Sequence, residues 1–165
     1  MTRSLTLNAM LTALTAVATL VLRIPTPATQ GYVNLGDSVI ISAALLFGSR
    51  TGALSGGIGS ALADILGGYA HWAPFTLVIK GAEGALVGSF SRKSLLSRMG
   101  VLIGGLRAFV GTLWMVLGYF LTETFLYGWQ PALAGLLGNG IQGLASLILA
   151  IPAAILLERA GFRRE

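Results

Sequence analysis

The sequence has no cysteine and a single histidine, His71. That excludes disulfides, thiolate metal sites and any imidazole cluster within one chain. Charge is equally scarce: 10% of the 165 residues are Asp, Glu, Lys or Arg, against 55% hydrophobic, and the mean hydropathy is +0.80. Soluble domains carry about 25% charged residues, so this chain lacks a surface suited to water. Acidic residues are rarest, six against eleven basic, giving a net charge of +5. A basic balance can serve nucleic acid, but here the basic residues sit at the ends of apolar runs instead of along one face, which excludes that partner. No GxxxxGK[ST] loop, no Ser–His–Asp set and no metal-ligand spacing occurs, so nothing points to an enzyme, a metal or a cofactor.

What remains is long apolar sequence, and it reads as one integral membrane domain over residues 1–165. A bilayer asks for about 20 apolar residues per helix, with ~17–25 the usual range. Breaks at basic, proline and aromatic-polar positions give six segments, 4–23, 35–48, 51–67, 73–91, 100–123 and 131–158. The fold expected is an all-α integral membrane protein, a six-transmembrane-helix bundle with an outward-facing pocket. The N-terminal run MTRSLTLNAMLTALTAVATLVLR is longer than a signal-peptide core and reads as the retained first helix. Six spans place both termini on one side. Arg3, Arg50, Arg92, Lys93, Arg98, Arg159, Arg163 and Arg164 share that side, with Arg23 alone opposite, which makes it cytoplasmic.

The other side gathers all four tyrosines, Tyr32, Tyr69, Tyr119 and Tyr127, together with Trp72 and Trp129. An interfacial belt would mark both faces, so a one-sided set favours the stacking walls and lid of a pocket, with the connector IPTPATQGYVN as the lid. Small residues recur at helical spacing: Gly52, Gly56, Ser60 and Asp64 form one stripe, and Gly135, Asn139 and Gly143 another. Close helix packing explains most of these glycines.

A charge inside a span costs ~2.5–3.5 kcal/mol on insertion scales, so the few present mark an interior or a ligand path. Lys80 lies roughly 10 Å and Glu83 roughly 15 Å below the outer end of the fourth helix. Three apart, they either pair to fix packing, or Lys80 donates to a ligand while Glu83 holds the ammonium. Asp37 reads as an N-cap of the second helix. Asp64, at the C-terminal end of the third, opposes the helix dipole and needs a ligand donor or a partner such as Lys80. Asn139 and Gln142 either bond between helices or offer donor and acceptor to a ring edge. His71 is a loop histidine or a pocket-edge donor. Ala9 and Ala13 either pack within the bundle or form a docking face.

The stretch VNLGDSVIISAALLFGSRTGALSGGIGSALADILGGYAHWAPFTLVIKGAEGALVG has a G-D start, a glycine-rich third helix ending L-A-D-x-x-x-G-Y, then P-x-T-x-x-I-K-G. It resembles the substrate-binding S components of energy-coupling factor (ECF) vitamin transporters, over nearly the whole chain. The resemblance implies a membrane subunit that captures a small water-soluble vitamin and delivers it inward. Its partners would be a membrane T component and two cytoplasmic ATPases in a prokaryotic cytoplasmic membrane, with no cofactor of its own. Ala9 and Ala13 match the family's A-x-x-x-A docking motif. The expected substrate-binding residues are Asp64, Tyr69, His71, Trp72, Lys80, Glu83, Trp129, Asn139 and Gln142, around a hydroxymethylpyrimidine or pyridoxine-type ring in preference to riboflavin. Two other classes compete: a self-sufficient secondary transporter or channel using Asp64, Lys80 and Glu83, and an intramembrane scaffold or small enzyme whose charges only fix helix pairs.

Overall fold

The computed structural model describes residues 2–89 and 94–162, with side chains described from Ser4 onward. Arg92, Lys93, Arg163 and Arg164 of the basic side therefore lie outside the described residues. The chain runs as α1 (Thr2–Val21), a hairpin of β1 (Arg23–Thr26) and β2 (Gly31–Asn34), α2 (Gly36–Phe47), α3 (Ser49–Leu54), a π-helical turn (Ser55–Gly59), α4 (Ser60–Gly67), α5 (Ala73–Gly88), α6 (Arg98–Tyr127) and α7 (Trp129–Arg159). Among the described residues, α6, α7 and the Ser4–Val21 part of α1 are long and apolar enough to cross a membrane. The shorter α2 is also apolar.

The hairpin departs from the all-α expectation. Pro25 and Pro27 bar the helix from continuing, and the flanking Ile24, Tyr32 and Val33 favour extended backbone. β1 and β2 pair antiparallel, with Arg23 opposite Asn34 and Thr26 opposite Gly31. This strap folds back over one end of the helices, which is the end where the site lies.

α2 is the central element: Ile40, Ile41, Ala43, Ala44 and Leu46 are all buried along it. Its Ile41 and Ala44 meet Val87 of α5, Ala108 of α6 and Ala150 of α7 in one small-residue core. α3 and the π-turn pack antiparallel on α5. A Cβ at Gly52 would strike the backbone of Gly84, and one at Gly84 would strike Gly52, so the two helices touch backbone to backbone. Such contact brings strong dispersion without a side chain to order. α6 and α7 form an antiparallel pair turned at Gly128, whose φ of +90° a side chain would strain.

Side-chain placement is inverted relative to a soluble protein. Leu137, Ile141, Leu144 and Ile148 mark an exposed stripe on α7, and Leu102, Leu106, Leu121 and Phe125 are exposed on α6. Every acidic residue described, Asp37, Asp64, Glu83, Glu123 and Glu158, is buried. An apolar exterior over a charged interior is what lipid solvent selects. Arg50, Arg98 and Arg159 lie at the end away from the hairpin, where Leu46, Leu95 and Ala154 pack together and the Leu95 amide donates to Glu158 at 2.7 Å.

Candidate binding cavity

Beneath the hairpin lies a cavity with about 500 Å³ of empty space, counting its open mouth. Five helices and the hairpin contribute to its walls. α1 supplies Thr19, the hairpin Thr26, Gly31, Tyr32 and Asn34, and α4 Ser60 and Asp64. Trp72 precedes Thr76 and Lys80 of α5; α6 gives Tyr119 and Glu123, and α7 Gly135, Asn139 and Gln142.

One side of this cavity is an ion network. The Lys80 ammonium donates to Asp37 Oδ1 and lies 3.6 Å from Glu83 Oε2. Asp37 Oδ2 accepts from Gln142 Nε2 at 2.7 Å, and Gln142 Oε1 accepts from the Asn34 amide at 2.7 Å. Lys80 also sits 5.4 Å above the Tyr119 ring, within cation–π reach. The N-cap reading of Asp37 is thus corrected. Leu35 holds the cap position of α2 without a side-chain bond, and the Asn34 carboxamide accepts from the Gly36 amide at 2.8 Å instead. A buried ammonium without an anion is far costlier than an uncapped helix turn, so the carboxylate goes to Lys80.

The hairpin closes the mouth through three further contacts. Tyr32 donates to Asp64 Oδ1 at 2.6 Å, Trp72 Nε1 donates to the Gln30 carbonyl at 3.2 Å, and Arg23 donates to the Gly67 carbonyl at 3.1 Å. Burial, and then the Asp64 carboxylate, push the Tyr32 phenol well up, so it stays protonated and donates. Asp64 therefore finds its partner in Tyr32, where the sequence offered Lys80. Its Oδ2 is left without a hydrogen-bond partner. Trp72 is buried and packs among Phe75, Tyr119 and Tyr127 with ring centroids 5.8–6.1 Å apart.

The far wall is different. Asn139 Nδ2 reaches Glu123 Oε1 at 3.4 Å, and Glu123 Oε2 has no hydrogen-bond partner.

Of the residues singled out by sequence, Asp64, Trp72, Lys80, Asn139 and Gln142 come together on the cavity wall. Glu83 is buried behind Lys80. Three do not line the cavity. Tyr69, half-buried, lies tilted against Tyr32 at 4.7 Å between centroids; His71 is exposed beside Trp72; and Trp129 is 60% exposed against Phe120. A single turn of α7 separates Trp129 from the inward face, which helical register decides and composition does not. Tyr32 and Tyr119, from the one-sided aromatic set, do line the cavity, whereas sequence reasoning did not place Asp37 or Glu123 there. For Glu123 the signal was present: it is a carboxylate inside apolar sequence, hidden because the fifth segment was ended at that residue while α6 continues to Tyr127. The stripe Gly52, Gly56, Ser60, Asp64 divides in two. Its glycines pack on α5, and beyond the π-turn Ser60 and Asp64 face the cavity. Among the described residues no cluster of His, Asp or Glu is placed to hold a metal ion.

Known proteins resemble this chain over most of its length. The family model for the ECF-type riboflavin transporter S component covers residues 1–159. A protein of Pyrococcus woesei described only as uncharacterized is 45% identical over 81% of this chain and 86% of its own. The thiamine precursor transporter HmpT of Lactococcus lactis subsp. cremoris is 35% identical over 96% of this chain and 90% of its own. The crystal structure of a biotin S component from an ECF-type ABC transporter shares the fold at a TM-score of 0.63, covering 99% of this chain and 93% of that one at 22% identity. The chain belongs to the ECF-type riboflavin transporter S-component family, and is a transport subunit, not an enzyme.

Proposed function

We propose that this chain captures a small water-soluble heteroaromatic vitamin precursor, of the hydroxymethylpyrimidine or pyridoxine type before riboflavin, for import. The observation that carries this is a polar cavity inside an apolar chain, walled by a buried tryptophan and by carboxylates with free oxygens. Trp72 offers a ring face, Asn139 a ring-edge amide, and Asp64 Oδ2 and Glu123 Oε2 accept donors. Family membership leaves the ligand open, because the family description names riboflavin and a 35% identical relative transports a thiamine precursor.

In this reading the helices cross the cytoplasmic membrane of a prokaryote six times. Arg50, Arg98 and Arg159 then face the cytoplasm with both termini, and the cavity opens outward under the hairpin. The exposed Ala9 and Ala13 of α1 offer a close-approach face to a membrane T component, which two cytoplasmic ATPases would energise. A proton path through Asp64, Lys80 and Glu83 is less favoured, since Asp64 is tied to Tyr32 while Lys80 is tied to Asp37.

The test is thermal unfolding of detergent-purified protein against a panel of B vitamins and their precursors. A native-state ligand raises stability by about 2.7 kcal/mol at a hundredfold excess over Kd. One small heteroaromatic compound shifting the midpoint is the expected result. A flat panel from folded, ligand-free protein overturns the proposal.

A further inference from the structure

Glu123 is a carboxylate that the ion network does not use. It sits on α6, 4% exposed, across the cavity from Lys80's partners. Its Oε1 takes a long contact from Asn139, at 3.4 Å, the Thr29 hydroxyl also reaches the carboxylate, and Oε2 lacks a well-formed hydrogen bond. A buried carboxylate oxygen without a donor is costly, and such groups are rare unless something outside the chain completes them.

The neighbouring helix makes room for this carboxylate. A Cβ at Gly135 would collide with Glu123 Oε2, so α7 leaves a notch where the carboxylate rests against the backbone. Gly135 lies one turn before Asn139, and both line the cavity. The side chain is therefore held by shape on the cavity wall, with Oε2 against α7 and without a donor of its own. A carboxylate only accepts, while the Asn139 amide both donates and accepts. Together they complement a ring edge that presents an N–H donor beside a ring nitrogen.

We infer that Glu123, seated by Gly135 and flanked by Asn139, is the specificity-determining residue of the cavity and selects a heteroaromatic ring carrying an exocyclic primary amine next to a ring nitrogen. The inference rests on the importer reading above and narrows it. A pyridoxine-type ring has no such amine. A ring with a carbonyl in its place sets an acceptor against the carboxylate and is rejected.

The test is isothermal titration of the full-length, detergent-purified protein with 4-amino-5-hydroxymethyl-2-methylpyrimidine and with its 4-oxo counterpart. The amine ring is expected to bind at least about thirtyfold tighter, the scale of one hydrogen bond to a charged group. Glu123→Gln, whose amide can turn to serve either ring, brings the ratio to within about threefold by the same reasoning. Its unfolding midpoint without ligand stays at or above that of the unaltered protein, because a buried charge is removed. Gly135→Ala keeps the charge but displaces it, and weakens the amine ring by about tenfold; it decides the matter if Glu123→Gln does not fold. Equal affinity for the two rings, or a ratio unchanged in both variants, overturns the inference. If neither ring binds while another vitamin does, the inference fails and the importer reading survives. If no compound binds, both fail.

Discussion

The two walls of the cavity hold similar residues and differ in how far they are satisfied. On the Lys80 side, an unbroken chain of contacts runs from Lys80 of α5 to Asp37 of α2, on to Gln142 of α7 and to the Asn34 amide of the hairpin. On the α6–α7 side, Glu123 has a long contact from Asn139 and the Thr29 hydroxyl nearby, and its Oε2 lacks a well-formed hydrogen bond. A charge whose partners all come from the chain fixes helices to helices, and removing one member strands the rest. A charge left incomplete in the same low-dielectric interior has its free energy still to be lowered by a ligand. What separates the two sides is the cation: Glu83, whose oxygens take no hydrogen bond, lies 3.6 Å from the Lys80 ammonium, whereas Glu123 has no ion pair among the described residues.

The comparison breaks most visibly at Lys80. Lys80→Met leaves Asp37 buried without its cation, and stability without ligand should fall by about 3–5 kcal/mol, measured by denaturant or thermal unfolding in detergent. A small loss would mean that the circuit does not hold α2 to α5. Glu123→Gln should do the reverse, leaving ligand-free unfolding unchanged while binding weakens by about 1.5–3 kcal/mol, measured by titration. Loss of stability there would place both walls in one class. Gly84→Ala supplies the apolar control: its Cβ meets Gly52 backbone, so about 1–3 kcal/mol of stability is lost to overpacking, with the affinity of any protein that folds retained. Tyr32→Phe is the mildest. It removes the 2.6 Å bond to Asp64, and hairpin closure should weaken by about 1 kcal/mol, seen as faster ligand release in stopped-flow dissociation.

Much of this was legible in the sequence because lipid imposes few solutions. Long apolar runs gave the positions of α1, α6 and α7, and glycines four apart gave the seam that α5 closes. The family followed from the motifs around Asp64 and Lys80. The hairpin was not legible: a proline-bearing connector reads as a loop until Tyr32 and Gln30 are seen to anchor it to Asp64 and Trp72. Asp37 was misassigned because its local role, capping a helix, is written in neighbouring residues, whereas its partner Lys80 is 43 positions away. Trp129, grouped with the cavity by sequence, lies exposed against Phe120, because aromatic composition near a span end says nothing about which side of α7 faces the interior. Glu123 was hidden by an early helix boundary. In each case the missing information was tertiary, a pairing between helices that no local pattern encodes.

The most direct test of the two-wall account is an experimental structure of the protein with a bound aminopyrimidine. The account predicts the ring against Trp72, its exocyclic amine within hydrogen-bond distance of Glu123 Oε2, and the Lys80–Asp37–Gln142 circuit unbroken. A ligand that instead breaks that circuit and pairs with Lys80 or Asp37, leaving Glu123 Oε2 still unpartnered, would contradict it.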